Sequence, residues 1–384
     1  MIRMPNTLPS RVVFVGGGHA HLFCLKYAQL LVSNGAHVVL IGPDVYHYYS
    51  GMGPGMLSGI YSLAQVRFNV AKLIQSRGGE FIEAEVKTVD AGAKVLGLSN
   101  GQSIRYDIVS FNVGSYIPPD LIRGAENIAY PVKPIETMLV LQKEILQRLA
   151  GDEFRILLVG ACPAGVELAG NIWRLIQHNS GRVQIVLAGS ESRILPRTPE
   201  KAGVLARQSL ASRGIRVLEN CRVDSIQNGI ARTETGHEIA FDLAVLSVGI
   251  RPRNVFGGSG LNVADDGALL VDDFLQSTSH KGVFGGGDCI DLAGRHLDRV
   301  GVHAVRQGPV LFHNIQAYMQ GKKLKRFKPQ KQYMLIFNLG DGNGIFVRGS
   351  LVIKGRFALR LKDFIDRRFM ARFQVSGELT GEIS

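Results

Sequence analysis

The chain has 384 residues, 46% of them hydrophobic, with 46 glycines and a formal net charge of +12 at pH 7. That length accommodates two or three domains with sizeable cores; no run of about 18 apolar residues predicts a membrane-spanning helix, and Met1–Ser10, with two prolines and no apolar segment, carries no secretory signal. The four scattered cysteines (Cys24, Cys162, Cys221, Cys289) lack C-x-x-C or zinc-ligand spacing, which predicts buried inert thiols, no metal site and a reducing, cytoplasmic setting.

Arg11–Val15 is a β-branched and aromatic run that reads as a buried parallel strand. Gly16, Gly17 and Gly18 follow, then a helix-like run over Leu22–Val32. Strand, glycine turn and helix are the context of a dinucleotide fingerprint: the first glycine permits the turn, and Gly18 lets backbone N–H groups approach a pyrophosphate at the helix N-terminus. His21 stands in the third glycine position, and by itself a plain glycine turn explains the stretch as well. Ala36–Gly42 reads as the next parallel strand; Asp44 beyond it suits either a ribose-binding acid or a turn aspartate. In Tyr46–Tyr61 four glycines and a proline predict no regular element, and its tyrosines and methionines either line a flat cofactor or pack inward. Strands are predicted at Glu80–Val89, Lys94–Leu98 and Gln102–Asn112, with a hairpin turn at Asn100-Gly101. Pro118 and Pro119 mark a crossing between domains.

Phe154–Gly160 opens a second strand–turn–helix, followed by strands at Val183–Gly189 and Ile215–Leu218, a hairpin within Glu219–Gly249, and a Val-Gly ending before Pro252. This repeats the order seen from Arg11 to Pro118, which favours two dinucleotide-binding domains over chance. Val283–Asp288 ends in glycines and an acid suited to a polyol. Gly301–Ile315 reads as a helix interrupted near Pro309.

Lys322–Phe373 carries 14 Lys/Arg against three acids, so the basic excess is a C-terminal property. Within it Phe357, Leu361, Ile365, Phe369 and Phe373 recur every four residues, flanked by Phe364 and Met370, with Lys362, Arg367, Arg368 and Arg372 between them. Such a helix suits an anionic membrane surface, or docking on the first domain with its charges outward. No nucleic-acid motif accompanies the charge, and no nucleic-acid partner is expected.

The predicted fold class is α/β: two Rossmann-like domains of three-layer type with inserted β-meanders, plus a small basic module. The expected boundaries are 1–118 with 253–320 for the first domain, 119–252 for the second and 321–384 for the module. Together, GGGHAH, YSGMGPG, the Val-Gly at Gly114, PAGVELAG, VGIRP and GGGDC resemble the two-dinucleotide-domain flavoproteins of the pyridine nucleotide-disulfide reductase superfamily. The nearest branches are type II NADH dehydrogenases and the flavoprotein domain fused to some selenophosphate synthetases; AVRQGPVL and KDFIDRRFM resemble the second branch in particular.

The resemblance implies FAD on the first domain and NAD(P)H on the second. Gly16, Gly18 and Asp44 would hold the ADP part of FAD and Asp288 would bind the ribityl chain; Gly17, His19, Ala20, Gly114 and Gly287 would also belong to the cofactor site. Tyr49, Ser50 and Gly51 would lie near the isoalloxazine. Ala304, Val305 and Gln307, early in a helix, would face its pyrimidine ring, where a helix N-terminus stabilises negative charge. Gly160, Pro163 and Gly165 would bind the coenzyme, with Glu167 as the catalytic candidate near the contact between nicotinamide and flavin. The implied activity is hydride transfer to flavin, then electron transfer to a quinone or similar acceptor, by a peripheral protein of the inner membrane face and a homodimer. Two departures keep other readings open. Cys162 replaces the second glycine of the coenzyme turn, and Val302 and Arg306 stand where type II dehydrogenases carry two glutamines. A flavin-binding protein without NAD(P)H turnover, or a sulfur- or selenium-compound reductase, are the alternatives.

Overall fold

The computed structural model describes residues 10–151 and 153–379. Met1–Pro9 of the segment read for a signal peptide lies outside them, as does the chain end after 379.

Two five-stranded sheets, all of whose pairings are parallel, organise the chain. The first has the order Val283–Gly285, Ile108–Phe111, Arg11–Val15, His37–Gly42, Glu80–Glu83. The second has the order Ala129–Pro131, Leu243–Leu246, Phe154–Val159, Val183–Ala188, Arg216–Leu218. In both, the strand that feeds the glycine turn is central and buried, as a parallel sheet covered on both faces requires. The repeat extends to individual bonds. Gly16 N–H donates to the Ile41 carbonyl and Gly160 N–H to the Ala188 carbonyl, each at 2.8 Å. Asn112 N–H donates to Val15 O at 2.8 Å, and Ser247 N–H to Val159 O at 2.9 Å.

Each half also carries a three-stranded antiparallel meander, at 86–105 and 223–240. The two crossings pair with each other, Ser115–Tyr116 against Arg251–Pro252. After the helix Gly301–Met319 the chain forms an antiparallel sheet (Leu335–Asn338, Gly344–Arg348, Leu351–Gly355), followed by a helix, Arg356–Phe373.

Several local expectations are corrected. The helix after the first glycine turn starts at His19 and is broken at Tyr27–Ala28 into His19–Lys26 and Gln29–Ser33. The glycine-rich stretch 46–61 does contain regular structure. Tyr46–Tyr48 is a strand, and Gly53–Leu57 is a helical turn whose early Pro54 needs no N–H partner there. Gln102–Asn112 divides between the meander (Ser103–Arg105) and the first sheet (Ile108–Phe111). Helix Gly301–Met319 runs through Pro309 without interruption; the proline is exposed, and the missing bond is borne by a long, otherwise well-buried helix.

His21 shows why the third glycine can be absent. Its ring is fully buried, with Nδ1 2.6 Å from Gly16 O and Nε2 2.8 Å from Ser110 Oγ. Burial pushes its pKa down to about 4, so it is a neutral brace. In the second half Gly165 approaches so closely that a Cβ would lie 1.8 Å from Gly160 O, and Ser247 Oγ donates to that carbonyl at 2.7 Å. His21→Ala strips both hydrogen bonds and opens a cavity; urea denaturation is expected to report a loss of about 3 kcal/mol.

Candidate functional site

The first glycine turn is shaped by Asn112, at the end of the neighbouring strand. A Cβ on Gly16 would lie 2.5 Å from Asn112 O, and one on Gly18 would lie 2.4 Å from Asn112 Oδ1. That Oδ1 accepts the first-turn amides of Ala20 at 3.0 Å and His21 at 3.3 Å, while Nδ2 donates to Gly286 O at 2.7 Å. Asn112 thus caps the helix from outside it. The amides of Gly17 and Gly18 donate no hydrogen bond among the described residues and are available to a ligand.

Gln307 Oε1 accepts Gly287 N–H at 2.6 Å, which places the start of helix Gly301–Met319 against the Gly286–Asp288 turn. Ala304 lies on the same side, 3.7 Å from a Cβ built on Gly287; Val305 is half-buried, whereas Arg306 is exposed. Gly114 has φ +73° and open space around a built Cβ. His19 Nε2 and Gln307 Nε2 are enclosed without a partner among the described residues, an arrangement that a polar ligand relieves. Free amides, orphaned nitrogens and glycine cradles together fit a nucleotide cofactor.

Asp44 accepts Tyr46 N–H at 2.9 Å, the geometry of a turn aspartate. Asp288 receives Lys133 Nζ at 2.6 Å and Ser115 Oγ at 2.7 Å. Burial opposes its ionisation, yet the Lys133 ammonium and these hydrogen bonds hold its carboxyl below the ordinary range. Lys133 comes from the entry to the second half, so this pair ties both halves together beside the first cradle. His19 sits among His47, Tyr49 and Phe369, with ring centroids 5.0, 5.3 and 6.1 Å away. Burial lowers its pKa to about 4.

The second turn repeats the plan with substitutions. Gly160 has φ +110°, and Pro163 opens helix Pro163–His178. Cys162 points its Sγ at Ser247 O, 3.0 Å away. The amides of Ala161 and Cys162 make no hydrogen bond among the described residues.

One turn into that helix, Glu167 joins a polar cluster assembled from four segments. Its Oε1 accepts Asn338 N–H at 2.7 Å. Lys362, on the C-terminal helix, donates to Gly51 O at 2.6 Å and to Asp366 Oδ2 at 2.8 Å. Tyr49 Oη donates to Asp366 Oδ1 at 3.0 Å. Depth in the molecule pushes the Glu167 carboxyl up to about 7, against the pull of the Lys362 ammonium and the Asn338 amide. Burial also raises Asp366. Lys362 is disfavoured by burial, but Asp366 and Glu167 more than offset this and hold its pKa above the ordinary lysine value. Ser50 begins the turn between Tyr49 and Gly51.

Among the residues chosen from sequence, those of the first turn, Tyr49–Gly51, Gly114, Gly287–Asp288 and Ala304–Gln307 gather around one region; Glu167 meets it through Lys362. Sequence reasoning missed Asn112, Lys133, Asn338, and the inward roles of Lys362 and Asp366. The only signal for the last two was their i, i+4 spacing on a helix otherwise read for its apolar stripe. That stripe divides: Phe369 and Phe373 pack against Phe68, while Phe357 and the flanking Phe364 are 67% and 62% exposed. The cysteines are not uniformly buried. Cys24 and Cys289 are enclosed, with burial raising both thiols, the second to about 12; Cys162 and Cys221 are half-buried.

Two parallel sheets, each with a glycine turn at its central strand and joined by paired crossings, define an α/β flavoprotein-type oxidoreductase fold with two Rossmann-like domains. The chain belongs to the pyridine nucleotide-disulphide oxidoreductase family, whose model matches residues 10–316. It is 27% identical to ferroptosis suppressor protein 1 of Taeniopygia guttata over 360 residues, covering 89% of this chain and 91% of that one. It is 23% identical to the type II NADH:quinone oxidoreductase of Staphylococcus aureus, covering 96% of each. Among solved structures, the sulfide:quinone oxidoreductase of Aquifex aeolicus superposes with a TM-score of 0.82 at 17% identity, over 98% of this chain and 96% of that one. NDH2 of Plasmodium falciparum in complex with NADH gives 0.81 at 14%, over 97% and 99%.

The Glu167 shift has a pH signature. Folded, Glu167 keeps its proton up to about pH 7; unfolded, it loses it near 4.5, so its contribution to stability falls as pH rises across that window and is level above it. Glu167→Gln stays neutral throughout. Unfolding measured from pH 5 to 8 is expected to show the variant gaining on the parent with rising pH, by on the order of 2–3 kcal/mol at the plateau. A pH-independent difference would contradict this placement of the carboxyl.

Proposed function

We propose that the chain is an FAD-dependent NAD(P)H oxidoreductase that delivers electrons to a quinone or similar small acceptor. The observation that carries this reading is the cluster of Lys362, Asp366, Tyr49 and Gly51, whose ammonium acts electrostatically on Glu167 in the helix of the second nucleotide turn and so relates that helix to the loop beside the first. The relatives named as quinone oxidoreductases support it over most of the chain's length.

FAD, when bound, supplies hydride acceptance from NAD(P)H and onward electron transfer. The Gly17 and Gly18 amides, Asp288 and the Gly301–Met319 helix start would hold it; the turn at Gly160, Pro163 and Gly165 would take the coenzyme. Quinone reduction consumes two protons with two electrons, and the polar cluster beside the Tyr49–Gly51 loop supports a source for them. The Glu167 carboxyl, pushed up to about 7 by burial, would serve as one proton carrier near neutral pH. Lys362 keeps its charge, fixed by Gly51 O and Asp366, and so presents an ammonium donor at the Tyr49–Gly51 loop.

An anaerobic absorbance titration with NADH and then NADPH tests this. A yellow protein that bleaches within seconds and is reoxidised by a soluble ubiquinone analogue is expected. A yellow protein that bleaches with neither coenzyme would favour a flavin protein without NAD(P)H turnover, for which the Cys162 side chain at the second turn is the motivating feature. Bleaching without reoxidation by the quinone, but with turnover that disappears in Cys162→Ser, would favour a sulfur- or selenium-compound reductase.

A peripheral membrane position accompanies this reading. No helix among the described residues is long and apolar enough to cross a membrane. The outer face of the C-terminal helix exposes Phe357 and Phe364 between Arg356, Arg360, Arg367 and Arg368, and the adjoining strand exposes Leu351 and Ile353. Apolar anchors within a basic surround suit an anionic lipid surface. Retention on phosphatidylglycerol vesicles is expected to fall at least tenfold in Phe357→Asp/Phe364→Asp, while flavin content is kept; unchanged retention would remove this assignment.

A further inference from the structure

A second basic feature lies away from the cluster at Glu167. Beyond helix Gly301–Met319 the chain doubles back as a strap, KKLKRFKPQ over residues 322–330. Buried Asn314 clamps it: its Oδ1 accepts Lys325 N–H at 2.7 Å, and its Nδ2 donates to Lys325 O at 2.9 Å and to Phe274 O at 2.7 Å. Two residues on, Phe327 is buried, and its N–H donates to Asp273 O at 2.7 Å. The strap backbone is therefore fixed at 325 and 327.

Strap and helix border an open cavity of about 470 Å³ lined by Arg306, Val310, Lys325, Arg326, Phe327 and Lys328. Four of these six residues are cations and none is an acid. Arg306, Lys325 and Lys328 form no ion pair among the described residues. Arg326 is engaged outside the hollow: its guanidinium lies over the Phe274 ring, 5.6 Å from the centroid, and reaches Asp273 at 3.8 Å, a carboxylate that also pairs with Arg295. Solvated basic faces usually disperse their charges or interleave acids; here two elements place four exposed cations around one hollow, three of them without an ion pair among the described residues, with Val310 and Phe327 as its apolar floor. Like charges held together repel, and a multivalent anion relieves that repulsion.

We infer that this cavity binds a phosphate-bearing anion of at least two negative charges, with Arg306, Lys325 and Lys328 as its ligands, Arg326 at its rim, and Val310 and Phe327 against its less polar part. The inference is independent of the proposed redox reaction. The shared chemistry is the phosphate; its source is either a soluble phosphorylated molecule or a phospholipid headgroup.

Isothermal titration of the full chain with sodium triphosphate at low ionic strength is the test, run beside retention on phosphatidylglycerol vesicles. Lys325→Glu/Lys328→Glu reverses two lining charges. Lys322→Glu/Lys323→Glu makes the same change of net charge on exposed strap residues outside the cavity. Arg306→Gln alters the helix side alone. One saturable site is expected, weakened at least tenfold in the 325/328 variant, weakened several-fold by Arg306→Gln, and within about twofold of the parent in the 322/323 variant. That pattern with unchanged vesicle retention assigns a soluble anion. No triphosphate binding, but retention lost in the 325/328 variant and kept in the 322/323 variant, assigns a headgroup. Equal weakening in both double variants would mean diffuse attraction and overturn the site, as would no saturable binding with unaltered retention.

Discussion

Backbone approach at the two glycine turns is the constraint on which the rest depends. At residue 16 the Asn112 carbonyl stands where any Cβ would be, and at residue 160 Ser247 and Val248 do the same. Neither strand end can be brought so close unless the turn residue lacks a side chain and takes positive φ. That contact aligns the following helix over the strand end and leaves two amides at each turn without a partner among the described residues. The two halves reach it differently. The first caps its helix with Asn112 and braces the turn with His21; the second uses Ser247 on the Gly160 carbonyl and the close packing of Gly165.

The deep charges are balanced in groups rather than in isolated pairs. Lys133 serves Asp288; Lys362 stands between Asp366 and the carboxyl of Glu167. A buried pair is a weak source of stability, because desolvation cancels much of the attraction. What such a group does supply is geometry, since removing any one member strands the others. It is notable where the cations originate. Lys133 comes from the crossing into the second half, and Lys362 from the last helix of the chain. Neither half is electrostatically complete by itself, so the charge distribution favours the docked arrangement of all three parts.

Much of this frame is legible in the sequence because strand, glycine turn and helix are local events, and their recurrence in the same order raises a weak motif to a strong one. Asn112 escaped notice because its role is set by sheet order: it lies about 90 residues from the amides it caps, beside them only once its strand pairs with Arg11–Val15. Lys362 and Asp366 escaped for a different reason. In a helix read by periodicity, a lysine between phenylalanines looks like part of the solvated face, and only the packing of Phe369 and Phe373 turns that lysine inward. Pro309 misled because a proline lowers the odds of a helix without forbidding one, and the burial of Leu311, Phe312 and Ile315 outweighs one missing bond.

The C-terminal helix carries these threads to one place. A repeat of exactly four residues drifts about 40° per step around an α-helix, whose turn is 3.6 residues. Phe357, Leu361, Ile365, Phe369 and Phe373 therefore cannot share one face; the row winds from the exposed side to the buried side. The buried end of the row packs against the His19–Tyr49–Phe68 group, and the same inward sector delivers Lys362 and Asp366 to the loop at Gly51. The exposed end holds Phe357 and Phe364 among arginines. One rigid element therefore has the charged cluster at Glu167 on one side and an amphipathic surface on the other. A contact that shifts its outer face also shifts the backbone that carries Lys362 and Asp366, because both surfaces belong to the same helix. The amphipathic surface and the polar cluster are thus mechanically a single feature of this fold.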